Sequence, residues 1–196
     1  MDIKTIEKTY ERMPDSELVK ILTTSGKGLR PEVLPIIESE VRKRNLDPIL
    51  LKGVLAQNKE YTVEELEAYA EFLRKLPCPV CGGAANKLNG TVAHTVKSFI
   101  IFTSYSTTLT IACPDCLDDK NEHAIAWSAA MGWWGFPWGL FKTPVYIYRN
   151  FKAKKYNKLE VANDTLLGFV LANVGEIEVY KDNKEKLKQI IRATME

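Results

Sequence analysis

Histidine is nearly absent from this chain and cysteine is scarce, with two of the first and four of the second in 196 residues. No Ser/His/Asp set, glycine-rich phosphate loop or pair of catalytic carboxylates stands out, so nothing in the sequence argues for an enzyme. A surplus of charge is missing too. With 27 basic and 25 acidic side chains the net charge is +2, too small to argue for a nucleic-acid partner across the whole chain. Repeats and low-complexity tracts are lacking. The start, Met1-Asp2-Ile3-Lys4-Thr5-Ile6-Glu7, has no apolar core of a secretory signal. That absence argues for a reducing, cytoplasmic setting and against disulfides, the alternative use of four cysteines.

None of the cysteines is left over. They form two Cys-x-x-Cys pairs, Cys78-Pro79-Val80-Cys81 and Cys113-Pro114-Asp115-Cys116. Each pair sets two sulfurs on one tight turn, and a tetrahedral metal ion is the usual bridge between two such turns. Proline after the first cysteine suits the turn entry, and Gly82 can take the positive φ that closes the first knuckle. The second knuckle has Leu117 there. A redox reading needs one pair at a helix start, not two matching pairs. The residues thus predict a structural Zn²⁺ on Cys78, Cys81, Cys113 and Cys116, with no open position for a catalytic water. His123, seven residues past Cys116, is the alternative fourth ligand; His94 reads as an ordinary strand residue. The 31-residue spacer 82–112 leaves room for a β-hairpin, as in zinc ribbons. Asn89-Gly90 reads as a hairpin turn, residues 98–102 and 108–111 as strands, and Ser104-Tyr105-Ser106 as the turn between them. Lys87, Lys97, Phe99 and Tyr105 are too dispersed to form a nucleic-acid surface.

Ahead of the ribbon the apolar residues recur at helical spacing. Ile3, Ile6, Tyr10 and Met13 mark a first helix, Leu18, Ile21 and Leu22 a second, and Leu34, Ile37 and Val41 a third that starts near Pro31 and ends at Asn45. A fourth run follows Asp47-Pro48. Thr62-Val63-Glu64-Glu65 is a capping box for a fifth helix, carrying Leu66, Tyr69, Ala70, Leu73 and Leu76 inward and ending at Pro77. The Arg42-Lys43-Arg44 cluster reads as a helix end facing water.

Residues 124–141 carry no formal charge and hold all four tryptophans. Eighteen residues are the lower edge of a membrane span, but Gly132, Gly135, Pro137 and Gly139 interrupt the stretch, and tryptophan prefers the headgroup level. Arg149, Lys152, Lys154, Lys155 and Lys158 follow with no acid among residues 149–158. A single span would separate the reducing ribbon from this basic run, so the segment predicts a re-entrant or interfacial helical hairpin turning at Gly135-Phe136-Pro137. Its arms would be 124–134 and 138–148, with Trp133, Trp134, Phe136 and Trp138 meeting a membrane or a partner and Lys152, Lys154 and Lys155 meeting lipid phosphates. The alternative is a soluble zinc-ribbon module for nucleic acid or a protein partner, with this hairpin buried in the core or in an oligomer interface.

The order of helical region, Cys-Pro-x-Cys-Gly, hairpin, Cys-Pro-x-Cys, then Gly132-Trp133-Trp134-Gly135-Phe136-Pro137-Trp138-Gly139 and Thr143-Pro144, resembles a group of uncharacterised bacterial proteins. In these a zinc-ribbon-like region precedes a Gly-Trp-Trp-Gly-x-Pro-Trp-Gly hydrophobic segment. The resemblance spans residues 78–150 and implies a bacterial, membrane-associated protein; it implies no substrate or reaction. Beyond it, Asn163-Asp164 caps a short helix over 165–173 ended by Gly175, and Asp182-Asn183-Lys184-Glu185 caps another. The expectation is an α+β chain. A helical N-terminal domain (1–76) precedes a four-cysteine zinc ribbon, a β-hairpin with two knuckles (77–123). A Trp-rich apolar segment (124–150) and a basic linker with short C-terminal helices (151–196) complete it. The function read from it is a non-enzymatic adaptor or binding protein at the inner face of the membrane.

Overall fold

The computed structural model describes residues 3–99 and 102–195, with the backbone alone at Phe99. Among the described residues the chain is α+β, with nine α-helices and one two-stranded antiparallel sheet. Two compact units divide it: Met1–Thr62 with Val170–Leu187, and Val63–Phe169 with Lys188–Glu196.

The first unit is built from α1 (Ile3–Arg12), α2 (Asp15–Lys20), α3 (Leu34–Lys43), α4 (Leu50–Gln57) and the later part of α8 (Asp164–Tyr180). The helical stripes expected from the sequence meet in one core of Ile6, Tyr10, Leu18, Leu22, Val33, Ile37, Val41, Leu50, Val54 and Val179. Asn45 ends α3 in the left-handed region at φ 53°. Arg44 does not face water as expected. It is drawn in by Glu40 and Asp15 and donates to the carbonyls of Tyr10, Glu11 and Met13, tying α3 to the end of α1. α8 also departs from expectation: it bends at Asn173 and continues past Gly175 to Tyr180.

Gly175 is needed for space, since a Cβ there would collide with the Thr23 carbonyl and Gln57. At Gly53 a Cβ would sit 2.5 Å from the Leu22 carbonyl and 2.7 Å from Val179. Gly53→Ala is therefore expected to destabilise this unit by about 1–3 kcal/mol. Gly168, in the exposed part of α8 with nothing near its missing Cβ, gives the opposite sign: Gly168→Ala should stabilise by about 0.5–1 kcal/mol. Urea denaturation of the two variants reads both signs.

The second unit holds α5 (Val63–Arg74), β1 (Asn89–Phe99), β2 (Phe102–Ala112), α6 (Pro114–Met131), α7 (Trp138–Asn157), the first turns of α8 and most of α9 (Lys184–Ala193). α5, expected to close the helical domain, belongs here. Its Arg74 is buried, pairs with Glu71 at 2.9 Å and donates to the Leu159 carbonyl at 3.3 Å.

Two turn assignments are corrected. Asn89 pairs with Ala112 and Gly90 with Ile111, so Asn89-Gly90 opens β1 rather than turning the chain. Tyr105 faces Val96 and Ser104 faces Lys97, so Ser104-Tyr105-Ser106 lies within β2. Phe99 pairs with Phe102; Ile100 and Ile101, which the sequence places in a strand, lie outside the described residues.

α6 and α7 pack on each other and on β1. Asn150 of α7 accepts from the His94 N–H at 2.9 Å and donates to the His94 carbonyl at 2.6 Å, acting as a neighbouring strand would. Ser128 of α6 accepts from the Val96 N–H at 3.1 Å. A strand edge is stable against a helix only when such groups are satisfied. Asn150→Ala leaves both His94 groups orphaned and should cost about 2–3 kcal/mol in urea denaturation.

Candidate functional site

Two regions of the second unit carry chemistry: the cysteine cluster at one junction of helix and hairpin, and an aromatic tip formed by the α6–α7 connection.

The four predicted sulfurs come together. One ligand atom from each of Cys78, Cys81, Cys113 and Cys116 lies within 4.8 Å of the others, a set that can hold a metal ion. Cys81 and Cys113 sulfurs are 3.8 Å apart, and all four cysteines are free. The first knuckle closes as its residues require: Gly82 has φ 76°, its N–H donates to the Cys78 carbonyl at 2.8 Å, and the Cys78 N–H donates to the Gly83 carbonyl at 2.8 Å. The second knuckle uses a different device. Cys113 is the residue before α6, Pro114 takes the first helical position, and the Leu117 N–H donates to the Cys113 carbonyl at 3.0 Å. Leu117 therefore needs no positive φ, because the helix itself makes the turn.

N–H groups point at the sulfurs: Cys113 N–H at Cys78 Sγ and Gly83 N–H at Cys81 Sγ, both at 3.4 Å. Burial by itself would raise the Cys78 thiol, but N–H donation from Cys113, Cys81 and Val80 outweighs it and brings it down to about 7. Burial pushes the Cys113 thiol up, and burial together with the neighbouring sulfurs pushes up that of Cys116. Four sulfurs this close ionise together only around a cation. Arg192 of α9 donates to the Pro79 carbonyl at 3.1 Å and braces the first knuckle. His123 is elsewhere, accepting from Trp127 Nε1 at 3.1 Å. His94 lies against the Tyr146 ring, its pKa lowered by burial and by Arg149.

The expected helical hairpin is present, but its arms are 18 and 20 residues rather than 11 each. α6 starts at the knuckle, and α7 runs through Pro144 into the basic stretch read as a linker. The turn spans 132–137 and includes a cis Phe136–Pro137 bond. Gly132, Gly135 and Gly139 let the turn lie against Thr143, Ser98 and Thr103, where any Cβ would clash. Outside it the aromatics are bare: Phe136 is 80% exposed, Trp134 69%, Trp138 63% and Phe141 69%, with Phe102 of β2 at 74%. Trp133 is less so. Trp134 Nε1 donates back to the Ala130 carbonyl at 3.2 Å.

Along α7 the large apolar residues lie outside. α6 buries Leu117, Asn121, Ala124 and Ser128, and α7 buries Gly139, Thr143, Asn150 and Asn157. The outer side of α7 carries Trp138, Phe141, Val145, Tyr148 and Phe151. In water a helix ordinarily hides its apolar stripe, and α7 leaves these residues exposed. Of the basic residues assigned to partner contact, Lys154 is held by Glu122 of α6, and the nearby Lys158 pairs with Asp118 at 2.9 Å. Lys152 and Lys155 form no ion pair among the described residues. No helix among the described residues is long and apolar enough to cross a membrane. No protein-family model, curated protein or solved structure matches the chain.

Proposed function

We propose that this chain is a zinc-ribbon protein that docks on a membrane surface by inserting its aromatic tip into one leaflet, as a non-enzymatic adaptor. The observation that carries the reading is the charge-free tip. β1 beyond Lys97, all of β2, α6 beyond His123 and α7 before Lys142 lack formal charge, and these ends are drawn together by Gly132, Gly135 and Gly139. Exposed aromatic surface of this extent marks a docking site, and Trp with Phe around Gly and Pro suits the interface rather than the bilayer centre. Hydrocarbon is about 30 Å thick, so one leaflet of about 15 Å matches roughly ten helical residues. α7 has eleven residues, 138–148, before Arg149, with Lys142 the one formal charge among them.

For the metal, zinc with bonds of about 2.3 Å in a tetrahedron places its sulfurs about 3.8 Å apart, which agrees with the Cys81–Cys113 separation. Four thiolates close the shell, so the ion's role is to hold the two knuckles, and with them the base of the hairpin, beneath the tip. Thiolate ligands favour the reducing, cytoplasmic face.

Flotation of the full chain with vesicles tests the docking. The expected result is co-flotation with a blue shift of tryptophan emission. A protein that stays at the bottom at low salt with unshifted emission would sink the reading. An oligomer whose tryptophans are already shielded would favour burial in an interface between copies.

A further inference from the structure

A cavity of about 310 Å³ opens beside the outer edge of β1, bounded by that strand, the second half of α7 and the start of α8. Strand alternation sets its chemistry. In the hairpin register Gly90, Val92, His94 and Val96 share one parity, and their backbone groups turn away from β2. Asn163 takes the N–H and carbonyl of Gly90, Asn150 takes those of His94, and Ser128 takes the N–H of Val96. Val92, between them, has no such partner among the described residues, and it lines the cavity. Between the closed positions Gly90 and His94, the edge therefore offers one donor and one acceptor at this point.

Charged side chains of both signs share the cavity. α7 supplies Arg149 and Lys152, and α8 supplies Asp164. None of the three forms an ion pair among the described residues; Arg149 lies over the Tyr146 ring, 5.6 Å from its centre. A simple anion would suit the two cations and be repelled by Asp164. A ligand carrying both an anion and an N–H cation suits all three. The cavity is also aligned with the tip: Trp138, Phe141, Val145, Arg149, Lys152 and Tyr156 follow one another at steps of three or four and so form one stripe along α7. The eleven steps from Trp138 to Arg149 span about 16 Å, so a tip placed in one leaflet sets the cavity at the level of the phosphates.

We propose that this cavity binds a phosphoethanolamine group, with the phosphate on Arg149 and Lys152 and the ammonium on the Asp164 carboxylate and the Val92 carbonyl. As a lipid headgroup, its source rests on the membrane-docking reading above. Choline has no N–H to donate to the Asp164 carboxylate or the Val92 carbonyl, and a glycerol headgroup has no cation for Asp164.

Two arms with the full chain separate the sources. In the first, vesicles of phosphatidylcholine alone, with phosphatidylethanolamine, or with phosphatidylglycerol are compared. Ethanolamine lipid should bind the protein about tenfold more tightly than phosphatidylcholine alone. Asp164→Asn should abolish that difference while retaining the response to phosphatidylglycerol, which separates recognition from any effect of ethanolamine lipids on bilayer packing. Arg149→Gln with Lys152→Gln should weaken both. In the second arm, soluble O-phosphoethanolamine should shift the Val92 amide resonance more than inorganic phosphate does, and the excess should vanish in Asp164→Asn. Vesicle binding with no ethanolamine preference, together with equal shifts from the ester and from phosphate, overturns this inference and leaves the docking reading standing. Ester recognition without binding to any vesicle does the reverse: the cavity chemistry holds, with a free phosphate ester as its source, and the docking reading falls.

Discussion

Cys81→Ser is expected to take the metal content of the purified protein from one ion per chain to near zero and to unfold the hairpin it anchors. Serine supplies a poor ligand, and three thiolates do not close a tetrahedral shell. Structural zinc contributes on the order of 10 kcal/mol to small sites, whereas an isolated two-stranded hairpin is marginal in water. β2 runs directly into the second knuckle, which is also the start of α6, and β1 begins eight residues after Cys81. Losing the ion therefore frees the base of the hairpin and the first turn of α6 together. The first unit has its own core around Leu18, Leu22, Ile37 and Val41 and should keep its helical signal. Elemental analysis with hydrogen exchange checks both halves of the expectation. Acid should act as the mutation does, because protons compete with the metal for the four sulfurs: metal is retained at neutral pH and lost as the pH falls. A folded chain with four titratable thiols and no metal would end the zinc reading.

The cysteine cluster was legible because its signal is local. Two identical spacings, a proline and a glycine describe the knuckles without any knowledge of the rest of the chain. The hairpin between them was misread where local signals compete with pairing. Asn89-Gly90 has the composition of a turn, yet Asn89 is buried at the mouth of the hairpin, donating to the carbonyls of Leu159 and Val161. Ser104-Tyr105-Ser106 looks like a loop because β2 is exposed there, and exposure, not a turn, explains its polar residues.

Alternation failed for the same reason in α6 and α7. Their buried positions are mostly Asn, Ser, Thr and Gly, with Leu117 and Ala124 in α6, so apolar periodicity does not trace them, and arms drawn from the charge-free stretch are shorter than the real helices. The basic run after residue 148 reads as a linker until Lys154 and Lys158 are seen paired with Glu122 and Asp118 of α6. Asn150 and Asn163, which close the edge of β1, bind residues 56 and 73 positions away. No spacing rule reaches that far.

Removing the two most prominent aromatics of the turn, Trp134→Ala with Phe136→Ala, should weaken vesicle binding by roughly a hundredfold or more. Each large apolar side chain contributes about 1.5–3 kcal/mol when it leaves water, and 1.4 kcal/mol is a factor of ten. Both side chains are largely exposed in the folded protein, so thermal stability should change little, and the loss is attributable to the surface they would enter. Leu55→Ala, at another exposed apolar position on α4, is the matched control and should bind as the unaltered chain does. Salt separates the tip from the basic residues behind it. Lys152 and Lys155 contribute about 1 kcal/mol each near an anionic surface, an effect that fades as salt is raised, while the aromatic contribution persists. Binding that survives the double aromatic variant but vanishes in high salt would mean that charge alone holds the protein to the vesicle, and the inserted tip would have to be abandoned.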